Sequence, residues 1–166
     1  MSVGVFVAVA KSNANDINQG VVQQKLIVNP EVKSIIDGKH KFLRHAFYMH
    51  DKKLGIKLFH ENDSDEFRDG LWSTIRDDLG SNTENIISKV TDEQLKTDLT
   101  RAVYLWKYAG DNKDEKALIY AYMIFVDLDA MINNYTSGSY GVTELSGNKG
   151  QKYSEMIDYY DNYVKN

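Results

Sequence analysis

Lys116-Ala-Leu-Ile-Tyr-Ala-Tyr-Met-Ile-Phe-Val-Asp-Leu-Asp-Ala-Met-Ile-Asn-Asn-Tyr135 is the most apolar window of the chain, and Asp127 and Asp129 interrupt it. Leu118, Ala121, Tyr122, Phe125, Leu128 and Ile132 recur at spacings of three and four, which places them on one helical face. Ile119, Met123, Val126 and Ala130 form an adjoining stripe. A helix apolar nearly all round belongs in a core. The spacing therefore predicts a buried central helix over about 113–135. Asp111 or Asn112 is the expected cap, with Asp114 and Glu115 at the positive end of the macrodipole. Asn133, Asn134 and Ser137-Gly138 supply the stop.

The same residues admit a second reading, a buried strand from Leu118 to Val126 that delivers Asp127-Leu128-Asp129. An aspartate pair at a strand end resembles the first motif of haloacid-dehalogenase-type phosphotransferases. That resemblance implies a nucleophilic role for Asp127 and proton handling by Asp129. Ala130 and Met131 stand where that family carries small or hydroxyl residues. The length of the apolar run favours a helix.

Outward from this stretch the chain reads as amphipathic helices. Asn29-Pro30-Glu31 opens one, with a capping Asn and Pro at the first helical position. Val32, Ile35 and Ile36 give it an apolar face before Asp37-Gly38, the expected break, and Phe42, Leu43, Ala46 and Phe47 resume the period. Leu54, Ile56 and Leu58 alternate as in a short strand, with no evident partner. Phe67, Leu71, Ile75 and Leu79 mark a helix ended by Gly80, and Ile86, Ile87 and Val90 a shorter one. Thr91 to Gln94 has the form of a capping box, opening a helix through Leu95, Leu99, Ala102, Val103, Trp106 and Ala109 to Gly110. The short loop after it makes this helix and the central one antiparallel neighbours. Tyr153, Met156, Ile157, Tyr160 and Val164 form a last amphipathic helix.

Composition narrows the function. The net charge of −4 over 166 residues, without a Lys/Arg cluster, argues against nucleic acid. A single proline, Pro30, favours long helices. The absence of cysteine excludes disulfides and thiolate chemistry. Residues 1–20 read as an apolar arm followed by a polar linker, and residues 21–166 as one helical domain. Ala8-Val9-Ala10 has the small-x-small form that signal peptidases cut after, so the arm is either a signal-peptide remnant or an ordered N-terminal segment. No apolar stretch is long enough for a transmembrane helix.

Candidate site residues are few. His40, His45 and His50 fan out around a helix and His60 lacks a partner, so no histidine metal site is expected. No Gly-rich phosphate loop or dinucleotide fingerprint occurs, and no cofactor is expected. Asp127 and Asp129 lie about 200° apart on a helix. One of them must face the core and cap a helix or pair with Arg101, Lys107 or a tyrosine hydroxyl, because a lone buried carboxylate is costly. A structural role is favoured over catalysis. Tyr153, Tyr160 and Tyr163 give the last helix a tyrosine-rich face, a composition common at interfaces and at core rims.

The run from Ala117 through Asp129, with Tyr140-Gly141-Val142-Thr143, is similar to small exported helical proteins of Bacillus-type bacteria. That family pattern has histidines where this chain has Tyr122 and Val126, so the resemblance implies a helical fold and export and transfers no activity. The expectation is an all-α bundle of five or six helices acting as a non-catalytic interaction protein with another protein as its partner. Asp127, Asp129, Tyr153, Tyr160 and Tyr163 are its candidate binding residues. The alternatives are a small metal-dependent hydrolase or phosphotransferase using Asp127 and Asp129, and an immunity-type partner of a secreted toxin. Export or the cell surface is favoured over the cytoplasm.

Overall fold

The computed structural model describes residues 28–47, 49–51, 55–79, 82–134, 139–147 and 149–165. The expected arm and linker (1–20), Leu54, Gly80 and Ser137-Gly138 lie outside the described residues. Six α-helices are described: α1 (Pro30–Ala46), α2 (Asp65–Asp78), α3 (Thr83–Ser88), α4 (Glu93–Asn112), α5 (Glu115–Asn133) and α6 (Gln151–Tyr159). A π-helical turn, Tyr160–Val164, continues α6. Two short strands, β1 (Met49–Asp51) and β2 (Gly55–Lys57), pair antiparallel after α1, so Ile56 does have a strand partner.

The all-α expectation holds, and α5 is its hub. Leu118, Ala121, Ile124, Phe125 and Leu128 are fully buried, and both predicted stripes of α5 meet neighbours. Its principal contacts are with α4 on one flank and α1 on the other, while α2 covers α4. Phe125 and Trp106 meet edge to face with centroids 6.1 Å apart at the centre of this layer. Burying such rings contributes roughly 2–3 kcal/mol each. Trp106 Nε1–H is satisfied by the Ile75 carbonyl at 2.6 Å, in the last turn of α2 where carbonyls lack helical partners.

Local signals were partly displaced. Asn29 caps α1 at the Val32 N–H, 2.8 Å, with Pro30 at the first turn, as the sequence predicts. Gly38 does not break α1, because it lies mid-helix with open space around it and costs only its propensity. The cap of α4 is Asp92, whose carboxylate accepts the Leu95 N–H at 2.8 Å, in place of Thr91. Gly110 does not close α4 either. It allows close approach of α2: a Cβ there would lie 2.9 Å from the Arg76 Cα. The helix runs on to Asn112, and Lys113 in the left-handed region (φ 53°) turns the chain. Asp114, not Asp111 or Asn112, then caps α5 through the Ala117 N–H. Asn134, also left-handed, ends α5.

Candidate functional site

The buried carboxylates hold the loop between α5 and α6. Asp127, fully buried on α5, accepts from the Ser139 hydroxyl (3.0 Å), the Tyr140 N–H (2.5 Å) and the Val142 N–H (2.7 Å). Asp98, fully buried on α4, accepts the Glu144 and Leu145 N–H groups at 2.8 and 3.0 Å. Gly141 sits between these anchors at φ 69°, a conformation that glycine adopts without strain. Backbone donors that neither helix nor sheet satisfies are met by two carboxylates reaching out of the core. Burial pushes the Asp98 carboxyl up to about 6 despite its two N–H donors, and Asp127 moves the same way for the same reason.

Glu144, in this loop, is a second junction. It accepts from the Tyr153 hydroxyl and pairs with Lys149 (2.9 Å) and Arg101 (3.0 Å). The Tyr153 hydroxyl and then Lys149 hold its carboxyl down at about 2. Tyr153 is thereby buried against the loop.

Asp129 occupies a different place, the seam between α5 and α1. Its carboxylate meets His40 Nδ1 at 2.9 Å and accepts the Asn133 amide at 2.7 Å. Asn133 in turn accepts from Lys33 at 3.1 Å, and Lys33 pairs with Asp37. The His40 ring lies 5.9 Å from that of Tyr122, whose hydroxyl burial pushes up to about 12. A carboxylate on Nδ1 fixes the orientation of an imidazole and leaves Nε2 for proton transfer. Among the described residues no hydroxyl hydrogen-bonds that nitrogen, and no group of three His, Cys, Asp or Glu side chains is placed to hold a metal ion.

The two aspartates thus follow the predicted divergence, with different partners from those expected. Arg101 pairs with Glu144 and Lys107 with Glu84, so neither serves Asp127 or Asp129. Two open surface depressions flank the bundle: one on α1 around Lys33 and Lys41, the other between α4 and the π turn around Thr97, Thr100 and Tyr160. Asp127 and Asp129 line neither.

A tyrosine ridge runs where α4, α5 and the C-terminal helix meet. Tyr104 and Tyr108 stand one turn apart on α4. Tyr159 lies over Tyr120 of α5 with centroids 5.4 Å apart and over Tyr163 at 5.1 Å. Its hydroxyl donates to Asp114 at 2.7 Å, tying α6 to the start of α5, and burial followed by this bond raises its pKa. Tyr160 is buried, its hydroxyl raised first by burial and next by the nearby Tyr104. Tyr104 and Tyr163 are 45% and 59% exposed. Of the tyrosines singled out from sequence, Tyr160 and Tyr163 join the ridge and Tyr153 joins the Glu144 junction. Asp98 and Tyr104 were not singled out. Asp98 carries a legible signal, a carboxylate on the Leu95–Leu99–Ala102 core stripe, whereas Tyr104 shares with Tyr108 a face otherwise made of polar residues such as Thr97, Thr100, Arg101 and Asp111. Comparison with models of known families, with curated proteins and with solved structures finds no match to this chain.

Proposed function

We propose that this protein is a non-catalytic helical interaction protein that docks another protein through the tyrosine ridge. One observation carries the reading. Two of the three large hydrophobic side chains exposed among the described residues, Tyr104 and Tyr163, stand where α4 and the C-terminal helix meet, Tyr163 against Tyr159 and Tyr104 near Tyr160, and Phe67 is the third. Tyrosine buries a large rigid area while keeping a polar tip, which is why it is enriched at binding hot spots. The α-helical scaffold supports the ridge from below, since Tyr120, Tyr159 and Tyr160 form its buried base. An immunity-type role, neutralising a secreted toxin, is one form such a protein takes.

The test is capture of a native partner by immobilised wild-type protein and by the Tyr104→Ala/Tyr163→Ala variant. A partner held by the wild type and lost by the variant is the expected result. Equal capture by both, or none by either, overturns the reading. The proposal also extends to export from a bacterial cell, supported by Ala8-Val9-Ala10 and by the resemblance to exported proteins. N-terminal sequencing of natively produced protein should find a mature end near Lys11, and an intact Met1 or Ser2 would contradict it.

The second reading, a small hydrolase, has the His40–Asp129 pair behind it. It predicts hydrolysis that His40→Ala abolishes without unfolding the protein.

A further inference from the structure

The depression between α4 and the π turn has a volume of about 410 Å³, within the range of small-molecule sites, roughly 300–1,000 Å³. One wall is a single face of α4, where Glu93, Lys96, Thr97, Thr100 and Arg101 recur at spacings of three and four. The other wall is Tyr160, Asp161 and Lys165. The π turn completes that second wall. The Lys165 N–H donates to the Tyr160 carbonyl at 3.0 Å, a bond between residues five apart that widens the last turn. In an α-helix residues five apart diverge by about 140°. The wider turn brings Lys165 back over Tyr160, so both line the depression. Such turns are rare and recur at functional sites.

Several donors here are open. Lys96 is half-buried, and its ammonium makes no ion pair or hydrogen bond among the described residues. The Thr100 and Tyr160 hydroxyls have no hydrogen-bond partner among them either, whereas Thr97 donates to the Glu93 carbonyl at 2.7 Å. Tyr160 is buried, which keeps its hydroxyl protonated, and that hydroxyl lies in the field of Arg101 and Asp161. Lys165 pairs with Asp161 at 3.3 Å with both side chains more than half exposed, a pairing worth little.

The charges do not cancel. Arg101 is answered by Glu144, which also takes Lys149. With these neighbours counted, the cations Lys96, Arg101, Lys149 and Lys165 outnumber the carboxylates Glu93, Glu144 and Asp161. A local surplus of positive charge therefore stands on a protein whose net charge is −4.

We propose that this depression binds a small phosphate monoester: Lys96 and Lys165 meet its charge, and the Thr100 and Tyr160 hydroxyls donate to its oxygens. Four donors suit the three terminal oxygens of a monoester better than the two of a carboxylate, and a lysine acts on phosphate as a compact point charge. The rest of the molecule fills the remaining volume, with Glu93 and Asp161 as acceptors for its hydroxyl groups. The site stands whether or not the ridge docks a protein.

The experiment is a proton–nitrogen NMR titration of the full chain with glycerol 3-phosphate at constant ionic strength, with inorganic phosphate and succinate as comparison anions. Saturable shifts centred on amides 96–101 and 160–165 are expected. Inorganic phosphate should bind roughly threefold more weakly, since it leaves most of the volume unfilled, and succinate should not bind. Lys96→Met keeps the apolar stem and should weaken binding about tenfold, the worth of one hydrogen bond to a charged group. Tyr160→Phe removes only the hydroxyl and should weaken binding about fivefold. Lys113→Met, beyond the far end of α4 and more than a Debye length away, should stay within about twofold of wild type. Neither the Lys96 ammonium nor the Tyr160 hydroxyl holds a partner, so melting curves should be unchanged in these variants.

Shifts centred elsewhere, or no saturation below about 10 mM, would overturn the proposal. So would wild-type affinity in both Lys96→Met and Tyr160→Phe. Succinate binding as tightly as glycerol 3-phosphate, or a loss in Lys113→Met as large as in Lys96→Met, would mean diffuse attraction of any anion and would overturn it too.

Discussion

Asp127 shows how one residue can be decided by its partners. Its oxygens collect three donors from Ser139, Tyr140 and Val142, so its carboxylate orders a loop. Replacing it by Ala would leave buried N–H groups unpaired, at a cost of roughly 3–5 kcal/mol. Urea denaturation should read that loss directly, and a loss under 1 kcal/mol would contradict the anchoring role. Asp98 adds a pH signature. Its carboxyl titrates at about 6 in the fold against its ordinary 3.8, so the folded protein binds this proton more tightly than the unfolded chain. Its contribution to stability is complete below the unfolded value and disappears as pH rises through about 6. Asp127 acts in the same direction. Glu144 acts oppositely: held down at about 2 against 4.5, it stabilises the fold above its ordinary value and loses this as pH falls through about 2. The stability these three groups contribute together should peak at about pH 4, and Asp98→Asn should lessen the rise between pH 6 and 4, leaving the part that Asp127 contributes. Melting temperatures across that range check it, and a rise as large in Asp98→Asn as in the wild type would refute the assignment.

Among the helices, two glycines on different faces make opposite predictions. Gly38 has open space around it in the middle of α1, so Gly38→Ala should stabilise by up to ~1 kcal/mol through helix propensity and the unfolded-state entropy. Gly110 touches the Arg76 backbone, so Gly110→Ala should destabilise by about 1–3 kcal/mol despite the same propensity gain. Chemical denaturation of both variants tests the packing of α2 on α4, and equal signs would refute it. The contrast also shows what the sequence discloses. A glycine near a change of period reads as a break, and only the neighbouring helix distinguishes a tolerated glycine from a required one. The cap of α4 is similar: Thr91 and Asp92 both suit the position, and the register of the first turn selects Asp92. By contrast the burial of α5 was legible, because an apolar surface on nearly all sides has few places to go, although its cap is Asp114 and not Asp111 or Asn112.

At the scale of the molecule, α5 between α1 and α4 makes one connected core, so Phe125→Ala should cost roughly 3–5 kcal/mol. For a chain of this size that lowers the melting temperature by about 10 °C. The fold class followed from periodicity, but the ridge did not. Tyr104 and Tyr108 are far along the chain from Tyr159 and Tyr163, and only the packing of the C-terminal helix across α4 and α5 brings them together. The last helix alone displayed tyrosines whose destinations differ, Tyr153 inward to Glu144 and Tyr163 outward to solvent. Asp127 and Asp129 were legible as a conflict between charge and burial, and their separate partners came from the fold.

The most direct measurement of the docking claim is site-specific photo-crosslinking in the native source, with p-benzoylphenylalanine introduced at Tyr104, at Tyr163 and, as the exposed aromatic outside the ridge, at Phe67. The account predicts one common adduct from positions 104 and 163 and none from 67. Adducts equally abundant at all three, or absent from 104 and 163, would contradict it.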